Sequence, residues 1–344
     1  MSAAVPPPYD ALLVVSFGGP ERQEDVLPFL ENVLRGKHVP RQRMLEVAEH
    51  YQHFGGKSPL NEQNRALIAA LEKKLASAGP ALPIYFGNRN WHPLLSDTLA
   101  RMADDGVQRA MAFFTSAFSS YSGCRQYREN VAQAQGIVGP RAPQIDKLRG
   151  FFNHPGFIAA AADRLREALG RLPDKRSRDA AVIYTAHSIP RSMADCCAYE
   201  SQLAEACRLV SDRVGLGAWH LAYQSRSGPP SQPWLVPDIG DELRRLSAAG
   251  VRDVVVAPIG FLSDHIEVLY DLDTEARALA EQLGLGFVRA ATVGTHPQFI
   301  DAIHALILER LAPGSPRAAL GRLPPLPDVC PDDCCLPGLR PPTT

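Results

Sequence analysis

The chain has 344 residues, of which 45% are apolar and 21% charged, with a formal net charge of −1. That composition supports a buried core and excludes a disordered protein, and so small a charge excludes nucleic-acid binding by bulk electrostatics. No apolar run reaches the ~18 residues of a spanning helix, and the Pro-rich start lacks the basic-then-apolar order of a leader, so a cytoplasmic protein is expected.

In chain order, a strand is expected at 11–16, then a helix at 62–76 with Leu67, Ile68, Leu71 and Leu75 on one face. Strand 83–87, helix 97–105 and strand 109–115 follow, then helix 159–169, strand 180–185 and helix 202–214. Strand 219–224, helix 239–249, strand 253–259, helix 267–283, strand 286–292 and helix 296–311 complete the series. Several strands are almost continuously apolar, as parallel strands covered on both faces are. The alternation predicts an α/β fold with parallel sheets. Residues 9–150 and 151–312 form two domains' worth of chain. A tail at 313–344 holds nine of the 30 prolines and three of the seven cysteines. An odd cysteine count in such a chain disfavours a disulfide framework.

A weak internal repeat runs at a constant offset of 144, carrying Gly106-Val107 and Ser119-Ser120 onto Gly250-Val251 and Ser263-Asp264. Helix–Gly–strand units recur in any α/β protein. Read as a duplication, the repeat predicts two similar doubly wound halves with a cleft between their C-terminal strand ends, where such sheets bind ligands.

Four junctions put polar groups at those strand ends. SFGGPE at 16–21 offers backbone approach to a ligand or a tight turn; it is not a dinucleotide fingerprint. TAHSIP at 185–190 places His187 just past a buried strand, as a structural, catalytic or metal-binding histidine. Glu267, Asp271 and Glu275 recur every fourth residue. They form either a solvated acidic face or oxygen ligands for a hard cation. Apolar Ile266, Val268 and Leu269 suggest a buried Glu267 with a raised pKa, fit to accept protons. Finally, Arg89 with Trp91 and Arg226 with Trp234 supply one arginine and one tryptophan per half. That suits a large planar ligand with carboxylates better than a nucleotide.

These motifs, with FGGKSPL at 54–60, YQSRSGP at 223–229, PWL at 233–235 and PIGFLSDHIEVLY at 258–270, resemble the ferrochelatases from about Tyr9 to Leu311. The resemblance implies the class II chelatase fold, two Rossmann-like domains with an active-site cleft between them. It also implies insertion of ferrous iron into a porphyrin. His187 and Glu267 match the active-site pair, with Asp271 and Glu275 continuing a metal or proton path. Asp264 and His265 would orient that pair, and Phe17, Arg89, Tyr121, Arg226 and Trp234 would meet the porphyrin. Phe17 has no oxygen with which to ligate metal. The short polar stretch 25–53, with Arg35, Lys37, Arg41 and Arg43, favours a basic cleft edge. That edge suits the four propionates of coproporphyrin III, used by the actinobacterial members the motifs most resemble, with protoporphyrin IX as the alternative. Some relatives hold a [2Fe–2S] cluster, which would fall here to Cys124, Cys330, Cys334 and Cys335; free thiols or a zinc site are the alternatives. Cys196, Cys197 and Cys207 are expected bystanders. The resemblance leaves room for contact with neighbouring haem-pathway enzymes. A porphyrin carrier without activity, a small-molecule binder with a redox-sensing cluster and a cobalt or nickel chelatase are the rival readings.

Overall fold

The computed structural model describes residues 8–36, 39–229, 231–312 and 314–338. The start of the chain, Lys37 of the basic edge and the last residues of the tail lie outside this set. Among the described residues there are eight strands: β1 Ala11–Ser16, β2 Ile84–Asn88, β3 Arg109–Phe114, β4 Gln144–Lys147, β5 Ala181–His187, β6 His220–Gln224, β7 Asp253–Ala257 and β8 Gly286–Arg289. They form two parallel four-stranded sheets in the same order, β2-β1-β3-β4 and β6-β5-β7-β8. All seven predicted strands are found. The eighth, β4, was missed because Gln-Ile-Asp-Lys is an edge strand with no apolar run.

The repeat extends further than the sequence suggested. The same offset carries helix Leu95–Asp104 onto Ile239–Ala248, and the cis peptide His92–Pro93 onto Val236–Pro237. Gly106 and Gly250 both close the turn before the third strand of their half at φ 83° and 82°, where a side chain would be strained.

Side chains alternate across each strand, so every sheet has two faces. Leu12, Val14, Met111 and Phe113 of the first sheet and Val182, Tyr184 and Val255 of the second enter one continuous core. Leu13, Val15, Ala112 and Phe114 pack in a cluster of the first half alone, and Ile183, Val254 and Val256 in one of the second. Helices Pro155–Leu169 and Pro297–Leu311 fill the shared core, the latter also packing on Leu60–Ala78 of the first half.

The stretch 25–53 is more structured than its polarity implied. Helices Val26–Val33 and Arg41–His53 bury Val26, Phe29, Leu30, Met44 and Ala48 in a small cluster of their own. Its exposed edge keeps Arg35, Arg41 and Arg43. Helix Gln126–Val138 was also missed, since only Tyr127, Val131 and Ala134 are buried on it. The tail is pinned rather than loose. Asn153 donates to the carbonyls of Leu320 and Leu323 at 3.2 and 2.8 Å, and Arg149 to that of Ala318 at 2.8 Å.

Arg149, with a side chain only 1% exposed, also forms a bidentate pair with Glu309 at 2.6 and 3.0 Å. Breaking a buried pair strands the remaining charge at about 3–5 kcal/mol. Arg149→Met or Glu309→Leu alone should lower stability by that amount in chemical denaturation, and the double variant by much less than the sum. Single losses below about 1 kcal/mol would show the pair to be solvated.

Candidate active site

The C-terminal strand ends carry the polar groups in both halves. His187 is the last residue of β5, Phe17 follows β1, Arg89 follows β2 and Ser225 follows β6. Gly18, at φ 86°, lets the chain pass β2: a Cβ there would lie 2.9 Å from Cβ of Asn88.

His187 is oriented by its own backbone neighbourhood. Its Nδ1 meets the carbonyl oxygen of Ser188, which can only accept, so Nδ1 carries the proton. In the neutral imidazole Nε2 then keeps a lone pair, and it faces Oε2 of Glu267 at 3.8 Å. The separation couples the two groups electrostatically but is too long for a hydrogen bond. Tyr199 donates to the His187 carbonyl at 3.0 Å, steadying the strand end.

Glu267 is not buried as its neighbours suggested; its side chain is 50% exposed. Ile266 and Val268 are both buried, Val268 in the second half's core. A helix turns about 100° per residue, so the residue between two inward neighbours faces out. His265 lies on its other side, Nδ1 at 3.9 Å from Oε2, and burial holds that imidazole below its ordinary pKa.

The helix expected at 267–283 is α-helical only at its ends. Leu269–Ala276 forms a π-helix, the wider coil of i→i+5 bonds often found at functional sites. Asp271 has a raised proton affinity. Burial pushes it up to about 7 against hydrogen bonds from Ser225 Oγ and, at 3.5 Å, Gln224 Nε2; Glu267 and Glu275 add to the rise. Burial also raises Glu275, with Asp238 contributing. Among the described residues, no three His, Cys, Asp or Glu side chains converge to hold one metal ion. The three carboxylates are strung along a line instead.

Asp264 does not reach His187. Its carboxylate is paired with Arg289 at 2.8 Å, and the same guanidinium holds Asp273 at 2.8 Å. Arg289 carries no motif signal in the sequence; Gln224 and Ser225 lie in YQSRSGP at a strand end, where Ser225 keeps an unfavourable φ of 62° while its hydroxyl serves Asp271.

The residues expected to meet the porphyrin each have contacts of their own. Phe17 is 37% exposed and packs edge-on to Phe29. Arg89 lies over the Phe17 and Tyr127 rings at 5.6 and 4.4 Å, donating to Asn130 at 2.6 Å and to the Ser122 carbonyl. Tyr121 donates to Glu129 at 3.0 Å. Arg226 is exposed and donates to the carbonyls of Pro229 and Gln232. Trp234 packs where a Cβ on Gly228 would stand, and its indole N–H is buried without a partner. His50 of helix Arg41–His53 stacks on Tyr270 at 3.7 Å, so the first half's edge reaches the acidic helix.

The tail returns its cysteines to the first half as two pairs. Cys124 and Cys330 are hydrogen-bonded to one another, which holds the Cys330 thiol down and the Cys124 thiol up; Lys147 also favours both thiolates. Sγ of Cys334 and Cys335 are 3.3 Å apart. Cys124, Cys330, Cys334 and Lys147 line one cavity, and Arg125 donates to the carbonyls of Asp332 and Cys334. All seven cysteines are free; Cys207 is buried in the shared core. Cys197 donates to the Met193 and Ala194 carbonyls and lies within electrostatic reach of Cys334 and Cys335.

The ferrochelatase family profile matches residues 9–311. A ferrochelatase of Rhodopirellula baltica is 59% identical over 331 residues, covering 96% of this chain and 94% of its own. Coproporphyrin III ferrochelatases of Nocardia farcinica and Streptomyces griseus are each 51% identical, covering 96% of this chain and 98% and 94% of theirs. Among solved structures, the sirohydrochlorin chelatase SirB of Bacillus subtilis subspecies spizizenii with cobalt aligns with a TM-score of 0.52 at 11% identity, over 87% of this chain and 94% of that one. That likeness establishes the two-sheet chelatase architecture. With a family match spanning both halves, the chain belongs to the ferrochelatases, enzymes that insert metal into a porphyrin.

Proposed function

We propose that this protein inserts ferrous iron into coproporphyrin III in haem biosynthesis, with His187 and Glu267 as the catalytic pair. The observation that carries the reading is His187 at the end of β5 with its Nε2 facing the Glu267 carboxylate at 3.8 Å. A porphyrin gives up two pyrrole N–H protons as the metal enters. The Nε2 lone pair is suited to accept the first, and Glu267 to pass it on. Asp271, which titrates near neutrality, and Glu275 continue the line outward as a path for protons or incoming Fe²⁺. A cleft that grips the ring in a saddled shape would expose its nitrogens to the metal, favouring the distorted geometry over the relaxed one.

Two facts support coproporphyrin III over protoporphyrin IX. The relatives at 51% identity carry that substrate in their names. The edge formed by 25–53 is polar and keeps exposed Arg35, Arg41 and Arg43, suited to propionates. Among the described residues no helix is long and apolar enough to cross a membrane. Seven free thiols fit a reducing, cytoplasmic setting.

The cysteine arrangement fits a [2Fe–2S] cluster better than one zinc ion. Such a cluster takes two thiolates on each iron, and the thiols come as two pairs rather than a single convergent set. Cys124, Cys330, Cys334 and Cys335 would hold it, with Lys147 and Arg125 offsetting its negative charge. When bound it would supply a one-electron centre that also ties the tail to the first half.

Anaerobic insertion assays should show faster turnover with coproporphyrin III than with protoporphyrin IX. The reverse order would assign the second porphyrin. His187→Ala should abolish insertion while leaving porphyrin binding, read by fluorescence quenching, largely intact; unchanged turnover would reject the mechanism.

The raised pKa of Asp271 has a definite sign. Between about pH 4 and 7 the folded state keeps a proton that the unfolded chain releases. Its stabilisation is complete at lower pH and lost as pH rises through about 7. Asp271→Asn stays neutral, so its stability relative to wild type should climb from pH 4 to 7 and level off above. Denaturation curves across that range read the trend, and a pH-independent difference would remove Asp271 as the titrating group.

Protein purified anaerobically should be brown with about two irons per chain. Cys124→Ser should be colourless, and a brown variant would exclude Cys124 as a ligand.

A further inference from the structure

We infer that Gln63 is a positioning residue for metal insertion: from the opposite half it fixes the segment that carries Glu267, an inference that rests on the Glu267 role proposed above. Gln63 stands in the first turn of helix Leu60–Ala78, in the first half. Its side-chain amide binds one residue of the second half at two points. Oε1 accepts from the Asp264 backbone N–H at 2.8 Å, and Nε2 donates to the Asp264 carbonyl at 3.1 Å. A single bond would let the peptide swing; two bonds to the N–H and C=O of one residue set both its position and its direction.

The rest of the segment is tied at a second point. The Asp264 carboxylate is held by Arg289, at the end of β8, whose Nε donates to Asp273 at 2.8 Å. A guanidinium is a rigid planar fork, so the side chains of residues 264 and 273 are held at one fixed spacing. Glu267 and Asp271 lie on the short span between these ties. Gln63 therefore sets where that span sits relative to the first half and its Phe17, while Arg289 sets its shape.

The internal duplication supplies a comparison within the molecule. In the second half, Gln202 on helix Tyr199–Val214 reaches back to the first half. It accepts from the Ser119 N–H at 2.8 Å and donates to Ser119 Oγ at 3.0 Å. Ser119 is the repeat partner of Ser263, beside Asp264. Each half thus sends a glutamine into the loop after the third strand of the other. Gln202 is 2% exposed and its target leads toward Tyr121 and Cys124. Gln63 is partly exposed, and its target leads to the proposed catalytic carboxylate. One device serves as an interior strut, and its counterpart stands at the site.

The test uses the full-length protein with coproporphyrin III and Fe²⁺. Gln63→Met keeps the side chain's length and removes both hydrogen bonds. Its kcat should fall roughly 10–100-fold, as for a misplacement of about 1 Å, with the porphyrin KM within about twofold of wild type. Gln63→Glu matches the amide in shape and serves if the methionine variant does not fold. When ionised it cannot donate to the Asp264 carbonyl; when protonated it both donates and accepts. Its kcat relative to wild type should therefore rise as pH falls toward the carboxyl range. Gln202→Met should lower the thermal midpoint while kcat per folded molecule stays within about twofold of wild type. Wild-type kcat in Gln63→Met, or a flat pH ratio in Gln63→Glu, would overturn the proposal. Loss of the Glu267 reading shows separately, as unimpaired turnover in Glu267→Gln.

Discussion

The two halves share one apolar core, and the geometry of the cleft depends on it. Each sheet turns one face to that core and the other to a cluster of its own. Burying a large apolar side chain contributes about 1.5–3 kcal/mol, against about 0.5–1.5 for a hydrogen bond. The shared core, with Phe113, Phe151, Phe157, Tyr184 and Phe299 in it, therefore holds the halves together. The polar bonds that cross between them direct their alignment. Helix Pro297–Leu311 strengthens this arrangement, because it follows the last strand of the second half yet packs on Leu60–Ala78 and ties Arg310 to Tyr9 and Asp146.

The chemistry sits where that core stops. Parallel strands end together within each sheet, and Phe17, Arg89, His187 and Ser225 stand beside or at those ends. The carboxylates divide by environment. Glu267 faces out between His187 and His265, whereas Asp271 is drawn inward under Ser225 and Gln224. The more exposed group is free to meet a ligand, and the more enclosed one titrates near neutrality. The π-helical winding of Leu269–Ala276 passes from one environment to the other within a few residues.

The tail behaves as a strap. Its backbone is held by Arg149, Asn153 and Glu205 before it reaches the cysteines, so their delivery to Cys124 does not depend on cysteine chemistry alone. Within the first pair the thiolate is favoured on Cys330, with Lys147 in support, while burial raises the Cys335 thiol to about 12. Cys335 takes up a φ of 56°, unusual for a side-chain-bearing residue, beside Cys334.

Periodicity and spacing in the sequence by themselves determined the α/β class, seven of the eight strands, the duplication and the identity of His187, Glu267 and Asp271 as site candidates. These are local properties: apolar runs mark covered strands, glycines mark turns, and polar groups past a strand mark its end. What stayed hidden depended on neighbours distant in the chain. β4 exists because β3 offers it an edge, and the helices of 25–53 because they cover each other. Whether Glu267 or Asp271 is the enclosed carboxyl depended on which way one helix turns against the core, and Asp264 was claimed by Arg289 rather than by His187. Gln63 carried no local signal at all, for its partner lies 201 residues away. Sequence pattern records what each segment needs to bury; only the packed tertiary structure decides which groups from other segments arrive to surround it.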